Sequence, residues 1–166
     1  MDAIELLIEQ HRKMEDLLER VLGAPDLEQK RALFARAADD LTVHLSSEEQ
    51  VFYPAVRARR TDDILLESLE EHLSLKRLLA DLLAMAPAEP LFEPKFKVLR
   101  EQAEHHHEEE EEHLFPKVRR LLDTSGLLEL GTQMLAMQQG LRREGRPREA
   151  IPEQTGAAAP LGPRPS

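Results

Sequence analysis

Residues 104 to 118 read EHHHEEEEEHLFPKV and place four of the chain's seven histidines among six glutamates. Imidazole and carboxylate are ligands that suit iron, manganese and zinc, but a charge run is also what a solvated helix face looks like. Spacing separates the two readings. His106 and Glu110 are four residues apart, so on a helix they project side by side from one face. A second His-x-x-x-Glu, His44 with Glu48, lies 62 residues earlier in HLSSEEQVFYPAVRA (44–58), and the same offset sets Pro54 on Pro116. An offset of 61 aligns EQHRKMEDLLERVL (9–22) with EEHLSLKRLLADLL (70–83) and sets His11 on His72. The chain is therefore a two-fold pseudo-repeat of one pattern: a histidine followed, 33 or 34 residues later, by His-x-x-x-Glu.

One histidine on an apolar stripe is more often a satisfied core residue than a ligand. Four such positions at one level, with two carboxylates, are harder to explain without a cation. Burying unpaired polar groups costs several kcal/mol, and a pair of metal ions compensates both the imidazoles and the carboxylates. Two similar half-sites sharing carboxylates suit a dinuclear centre. The candidate metal-ligating residues are His11, His44, Glu48, His72, His106 and Glu110. The repeat selects His106 from the triple histidine, so His105, His107 and His113 are expected to face outward or to stand behind the ligands. Glu108, Glu109, Glu111 and Glu112 are expected to face solvent, and Glu49 to lie on the surface. Phe52 and Leu114, one turn beyond the carboxylates, are candidate pocket walls.

Positioning these residues requires helices. Apolar residues recur at helical spacing in four segments separated by GAPD (23–26), RRTDD (59–63) and APAEP (86–90). The first runs over about residues 2–22, the second starts near Asp26 and Leu27, the third has Thr61 or Asp62 as N-cap, and the fourth starts at about Leu91. In each, a histidine interrupts the apolar stripe. Short loops predict an all-α, up-down-up-down four-helix bundle over residues 1–123. Pro54 and Pro116 fall inside helical patterns, where each removes a donor and should kink or break its helix. A short amphipathic helix is expected within 124–140, centred on 127–139. The Pro-, Gly- and Arg-containing stretch 141–166 has few bulky apolar residues and is expected to be a disordered tail.

Composition sets the outer limits. A chain of 166 residues, 41% of them hydrophobic, can bury one real core. With no cysteine, thiolate sites and disulfides are excluded and any metal must sit on nitrogen and oxygen. A net charge of −10 argues against a nucleic-acid partner and against anionic membrane surfaces. No apolar run approaches the ~20 residues of a membrane span, and no basic-then-apolar leader opens the chain, so a cytoplasmic protein is expected. The zincin motif His-Glu-x-x-His is absent. A ferritin-like site needs Glu-x-x-His on each of two helices, whereas Glu104/His107 and Glu110/His113 both fall on one.

With the repeated His and His-x-x-x-Glu in place, the chain resembles the hemerythrin-like HHE cation-binding domain family over roughly residues 1–123. The resemblance implies a non-haem di-iron centre with an oxo or hydroxo bridge, with manganese or zinc the lesser alternatives. His11 and His44 would hold one iron, His72 and His106 the other, and Glu48 and Glu110 would bridge them. The implied partner is a small molecule: O2 or NO to be bound or sensed, or, in a redox enzyme, peroxide or nitric oxide to be consumed. The chain departs from oxygen-carrying hemerythrins one turn after His72, where they carry a fifth histidine and HLSLK places Lys76. A protonated lysine has no lone pair to give. Lys76 is expected to pair with its repeat-mate Glu15, leaving more open metal positions and favouring sensing or redox reaction over plain O2 carriage. Related iron-centre repair proteins add an N-terminal region with cysteines, which this sequence does not show.

Overall fold

A computed structural model describes residues 1–163. Helix α1 spans Ala3–Leu22 and opens with a reciprocal cap: Glu5 N–H donates to Asp2 Oδ1 at 2.8 Å, and Asp2 N–H donates to Glu5 Oε2 at 3.0 Å. Helix α2 spans Leu27–Ser47, with Asp26 accepting from Gln29 N–H at 2.8 Å. It continues as a π-helical turn, Glu48–Phe52, into the short helix α3, Tyr53–Ala55. Helix α4 spans Asp62–Leu83. Thr61 occupies its cap position, but its hydroxyl is spent on the preceding loop, donating to Val56 O at 2.7 Å and accepting from Ala58 N–H at 2.9 Å. Helix α5, Phe92–Glu109, runs through a second π turn, Glu110–Leu114, into α6, Phe115–Leu121.

Both π turns sit immediately before the prolines that the sequence marked as helix breakers. Pro54 and Pro116 lack the N–H that the regular ladder would use, and the extra residue of each π turn lets the helix continue past them. The consequence is rotational. With that added residue, Phe52 and Tyr53 both face inward, as do Leu114 and Phe115, and all four are buried.

The bundle core is divided. Met14, Leu18, Leu41, Leu75, Leu79, Phe92, Phe96 and Leu99 pack one half. Ile4, Leu7, Phe52, Leu65, Leu69, Leu114 and Phe115 pack the other. Between the two apolar masses lies a layer of buried imidazoles and carboxylates.

The C-terminal region is more ordered than its composition suggests. The expected short helix is α7, Thr124–Arg143, a 20-residue element capped by Asp123, which accepts from Gly126 N–H at 2.7 Å. It lies across α1 and α2. The approach is close enough that a Cβ at Gly131 would stand 2.9 Å from Met1 O. Within the stretch expected to be disordered, Pro147–Gln154 forms a 3-10 helix against α2 and α4. The correction has one principal cause: Ile151, a lone bulky apolar residue, is fully buried in the Leu41/Leu75 half of the core. Arg148 ties the same segment to Asp39 through its backbone N–H at 3.0 Å and its guanidinium at 2.8 Å. Residues 164–166 of the expected tail lie outside the described residues.

If the segment is part of the fold, Ile151→Ala should cost about 2–5 kcal/mol by leaving a cavity. Urea unfolding checks this; a loss below a few tenths of a kcal/mol would mean that Pro147–Gln154 is not packed in solution.

Candidate metal centre

The six candidate ligands come together in the polar layer, each 5% exposed or less. His11 lies on α1, His44 at the end of α2, Glu48 at the start of the first π turn, His72 on α4, His106 at the end of α5 and Glu110 at the start of the second π turn. The inward distances are short. Glu110 Oε1 is 3.2 Å from His11 Nε2 and 3.5 Å from His106 Nε2. Glu48 Oε1 is 3.4 Å from His44 Nε2 and 3.2 Å from His72 Nε2. Each carboxylate thus faces one imidazole from each half of the repeat.

All four imidazoles are oriented alike. Every Nε2 points into the layer, and every Nδ1 meets an acceptor behind it: His11 meets Glu111 at 2.9 Å, His44 meets Gln10 at 3.0 Å, His72 meets Glu49 at 2.8 Å and His106 meets Glu71 at 2.8 Å. An acceptor at Nδ1 keeps the proton there and leaves the Nε2 lone pair inward, as metal-binding histidines are held. The acceptors obey the repeat. Gln10 and Glu71, each just before a histidine, back His44 and His106; Glu49 and Glu111, each just after a π-turn glutamate, back His72 and His11. The Gln10 amide is braced further by Gln138 of α7, which donates to Ser47 Oγ at 2.9 Å.

Several roles differ from expectation. Glu49 was expected on the surface, yet its side chain is 8% exposed and held between His72 and Lys76. Lys76 pairs with Glu49 at 2.8 Å, not with Glu15, because the π turn presents Glu49 to the α4 face that carries Lys76. Glu15 is engaged by Arg12, which also reaches Glu111. Glu111, expected in solvent, is half-buried behind His11. His107 is buried, with its ring stacked on that of His11 at 3.9 Å. His105 and His113 are exposed, as expected.

Tyr53 went unnoticed in the sequence because a regular helical period turns it away from the face of Glu48. Through the π turn its hydroxyl donates to Glu110 Oε2 at 2.8 Å and lies 3.1 Å from His72 Nε2. The signal that could have found it is Pro54, which marks the irregular turn.

A donor set of this kind fits a cation, and the hydrogen-bond inventory says where. His11 Nε2, His44 Nε2, both oxygens of Glu48 and Glu110 Oε1 are buried without a hydrogen-bond partner, and all face the middle of the layer. His72 Nε2 and His106 Nε2 stand only 3.1 Å apart, a separation that needs a proton or a metal ion between two lone pairs. Candidate ligand groups form as His11, His44, Glu48 and Glu110 on one side and Glu48, His72 and His106 on the other, with Glu48 common to both; His107 also gathers with His11 and His44.

Protons show the same demand for positive charge. Burial works to lower the His11 pKa, but the Glu110 carboxylate 3.2 Å from Nε2 and the hydrogen bond to Glu111 raise it to about 9. Burial also opposes protonation of His106, yet the charges of Glu110 and Glu48 and the bond to Glu71 hold it well above its ordinary value. The two carboxylates divide: burial favours a proton on Glu48 but the His44 charge and the other groups around it hold it well down, whereas burial and the Glu48 charge push Glu110 up. Burial, then the charges of His11 and His44, keep His107 well below the usual histidine value. Burial and the two carboxylates raise the Tyr53 hydroxyl well above its own, so it stays a donor.

The matches to other proteins agree with this arrangement. A family model described as "Hemerythrin HHE cation binding domain" matches residues 2–118. The crystal structure of a hemerythrin HHE cation binding domain-containing protein, the Rv2633c homologue from Mycobacterium kansasii, superposes with a TM-score of 0.76 at 26% identity, covering 94% of this chain and 93% of that one. A "DNA nickase" from Nostoc sp. (strain PCC 7120 / SAG 25.82 / UTEX 2576) is 26% identical over 136 residues, which are 82% of this chain but 39% of the relative. The chain therefore spans about two fifths of that relative's length. Its name lends no support to the expectation that nucleic acid is excluded. Among the described residues, no helix is long and apolar enough to cross a membrane.

The raised His11 pKa fixes a sign. In metal-stripped protein, protonated His11 stabilises the fold fully below pH 6.5, and that contribution is lost as pH rises through about 9. Thermal melts of the stripped protein should fall across this window, while metal affinity, which requires the proton to leave, should rise. A flat melting profile there would show that His11 does not carry the proton.

Proposed function

Because the chain belongs to the hemerythrin HHE cation-binding domain family, we propose that it holds two iron ions in the polar layer and binds or senses O2 or NO there. One observation carries this reading: the inward atoms of six candidate ligands, four of them with unpartnered atoms, fall into two sets that share a carboxylate. His11 and His44 would hold one ion, His72 and His106 the other, and Glu48 and Glu110 would span them. The ions would supply electron transfer and an open position for a small ligand.

The rest is work for the chain's own residues. Glu111, Gln10, Glu49 and Glu71 keep each imidazole proton at Nδ1, so the four Nε2 lone pairs stay directed inward. The flanking leucine and phenylalanine layers exclude water. The Tyr53 hydroxyl, 2.8 Å from Glu110 Oε2, holds a proton at the edge of the space a ligand would occupy. That proton also supports the alternative reading, a redox enzyme consuming peroxide or nitric oxide.

Reconstitution with ferrous iron should give about two ions per chain and a near-ultraviolet charge-transfer band that shifts with azide or NO. His72→Ala should lower the content to about one ion. An unloaded wild-type chain, or an unaltered spectrum in His72→Ala, would sink the assignment.

The name of the Nostoc relative brings DNA to this chain as a second reading, and a local feature favours it. Two repeat-related basic stretches, PAVRARR (54–60) and PKVRR (116–120), meet at one end of the bundle, where Lys117 Nζ donates to Arg60 O at 3.4 Å. Asp62 and Asp2 pair with Arg57 and Arg119. Among the described residues, Arg59, Arg60, Lys117 and Arg120 have no acidic partner within salt-bridge distance. Net charge averages this pole away. If it contacts DNA, a labelled duplex of about 20 base pairs should bind with a salt slope near −0.9 per neutralised phosphate, and a triple Arg59→Glu, Arg60→Glu, Arg120→Glu variant should not bind. Salt-independent or undetectable binding by the wild-type chain would remove DNA from consideration.

A further inference from the structure

The two halves of the polar layer share one scaffold of outer acceptors, so their differences are informative. In the first half, Glu111 behind His11 is met by Arg12, whose side chain is 55% exposed, and His44 rests on the uncharged Gln10. In the second, Glu71 behind His106 has no lysine or arginine partner among the described residues. Glu49 behind His72 is gripped by Lys76, an ammonium buried to 3% exposure. The contacts form a continuous chain. Lys76 Nζ donates to Glu49 Oε1 at 2.8 Å, and Glu49 Oε2 accepts from His72 Nδ1, also at 2.8 Å.

We propose that Lys76 is a positioning residue that acts through Glu49 to set both the orientation and the donor strength of His72; this rests on the reading of the layer as a metal centre. An ammonium fixed to one carboxylate oxygen draws negative charge away from the other. Glu49 then polarises the His72 N–H less than Glu71 polarises that of His106, and His72 Nε2 is the poorer donor of the pair. Burial makes the effect strong, since no solvent screens it. Behind His11, Glu111, the repeat-mate of Glu49, is met instead by Arg12, which reaches water, so its influence on His11 is damped. Lys76 also prevents Glu49 from swinging out to solvent, because doing so would leave the ammonium buried alone. The residue that supplies no ligand therefore makes the two imidazoles of its own position unequal: His72 is the poorer donor and His106 the stronger.

Zinc-loaded protein allows a test independent of activity, since the diamagnetic ion permits nitrogen NMR of each imidazole. In Lys76→Gln, which keeps a hydrogen bond to Glu49 without the charge, the His72 Nδ1–H resonance should move downfield while that of His106 stays in place. Lys76→Arg should restore the wild-type position. In the iron-loaded pair, the first reduction potential should fall in Lys76→Gln and recover in Lys76→Arg. An unmoved His72 resonance with two ions bound would overturn the proposal and leave the metal centre standing. A wild-type chain that binds neither zinc nor iron would overturn both. Should Lys76→Gln fail to fold, Lys76→Met supplies the neutral variant, and the same comparison of His72 with His106 decides.

Discussion

Two carboxylates and four imidazoles cannot be left uncompensated in the middle of a helical bundle, and the rest of the structure answers to that constraint. Each buried anion must find positive charge nearby, and each imidazole must keep its second nitrogen satisfied. The Nδ1 side is met by protein groups, four of them, arranged by the repeat. The Nε2 side is left to whatever cation occupies the layer. This division explains why, among the described residues, most of the unpartnered buried side-chain atoms lie in this layer. It also explains the split core, since the apolar layers above and below isolate the charges from water and from each other's flexibility.

The same constraint accounts for the π turns. Glu48 and Glu110 begin them, and the added residue turns a pair of aromatic or apolar side chains, Phe52 with Tyr53 and Leu114 with Phe115, into the interior. A regular helix would put only one of each pair there. Proline then makes the irregularity permanent, because the missing N–H removes the ladder bond that would restore regular winding. Irregularity in the backbone and position of the inward carboxylates are one feature, not two.

Much of this was legible in the sequence, and what escaped has identifiable causes. The six inward residues follow from spacing and repeat because side-chain direction along a regular helix is set by period alone. The outer acceptors were equally visible in principle: Gln10 aligns with Glu71 and Glu49 with Glu111, but an acidic run conceals them among truly solvated neighbours. Glu49 was misplaced because charge was read as exposure, whereas a carboxylate between an ammonium and an imidazole is satisfied when buried. Tyr53 and the Lys76 partner were hidden by the π turn, which changes the face that each following residue presents. Ile151 was missed because one apolar residue in a Pro- and Gly-rich stretch carries no period, only a fit to a groove that another part of the chain provides.

The repeat also shows how a symmetrical beginning becomes an unequal site. Helix α2 is buried continuously from Leu41 to Glu48 because α7 and the Pro147–Gln154 segment cover its outer faces. Its counterpart on α5 remains open to solvent, and the sequences diverge accordingly: Thr42, Val43 and Ser46 stand where α5 has Glu104, His105 and Glu108. Covering one half changes what can sit behind its inward histidines. Gln138 of α7 reaches Gln10, which fits an uncharged amide behind His44, whereas open α5 keeps the carboxylate of Glu71 behind His106. The C-terminal region thus shapes the centre without supplying any of its six inward groups. Charge differences between the two halves of the layer follow from which side of the bundle is covered.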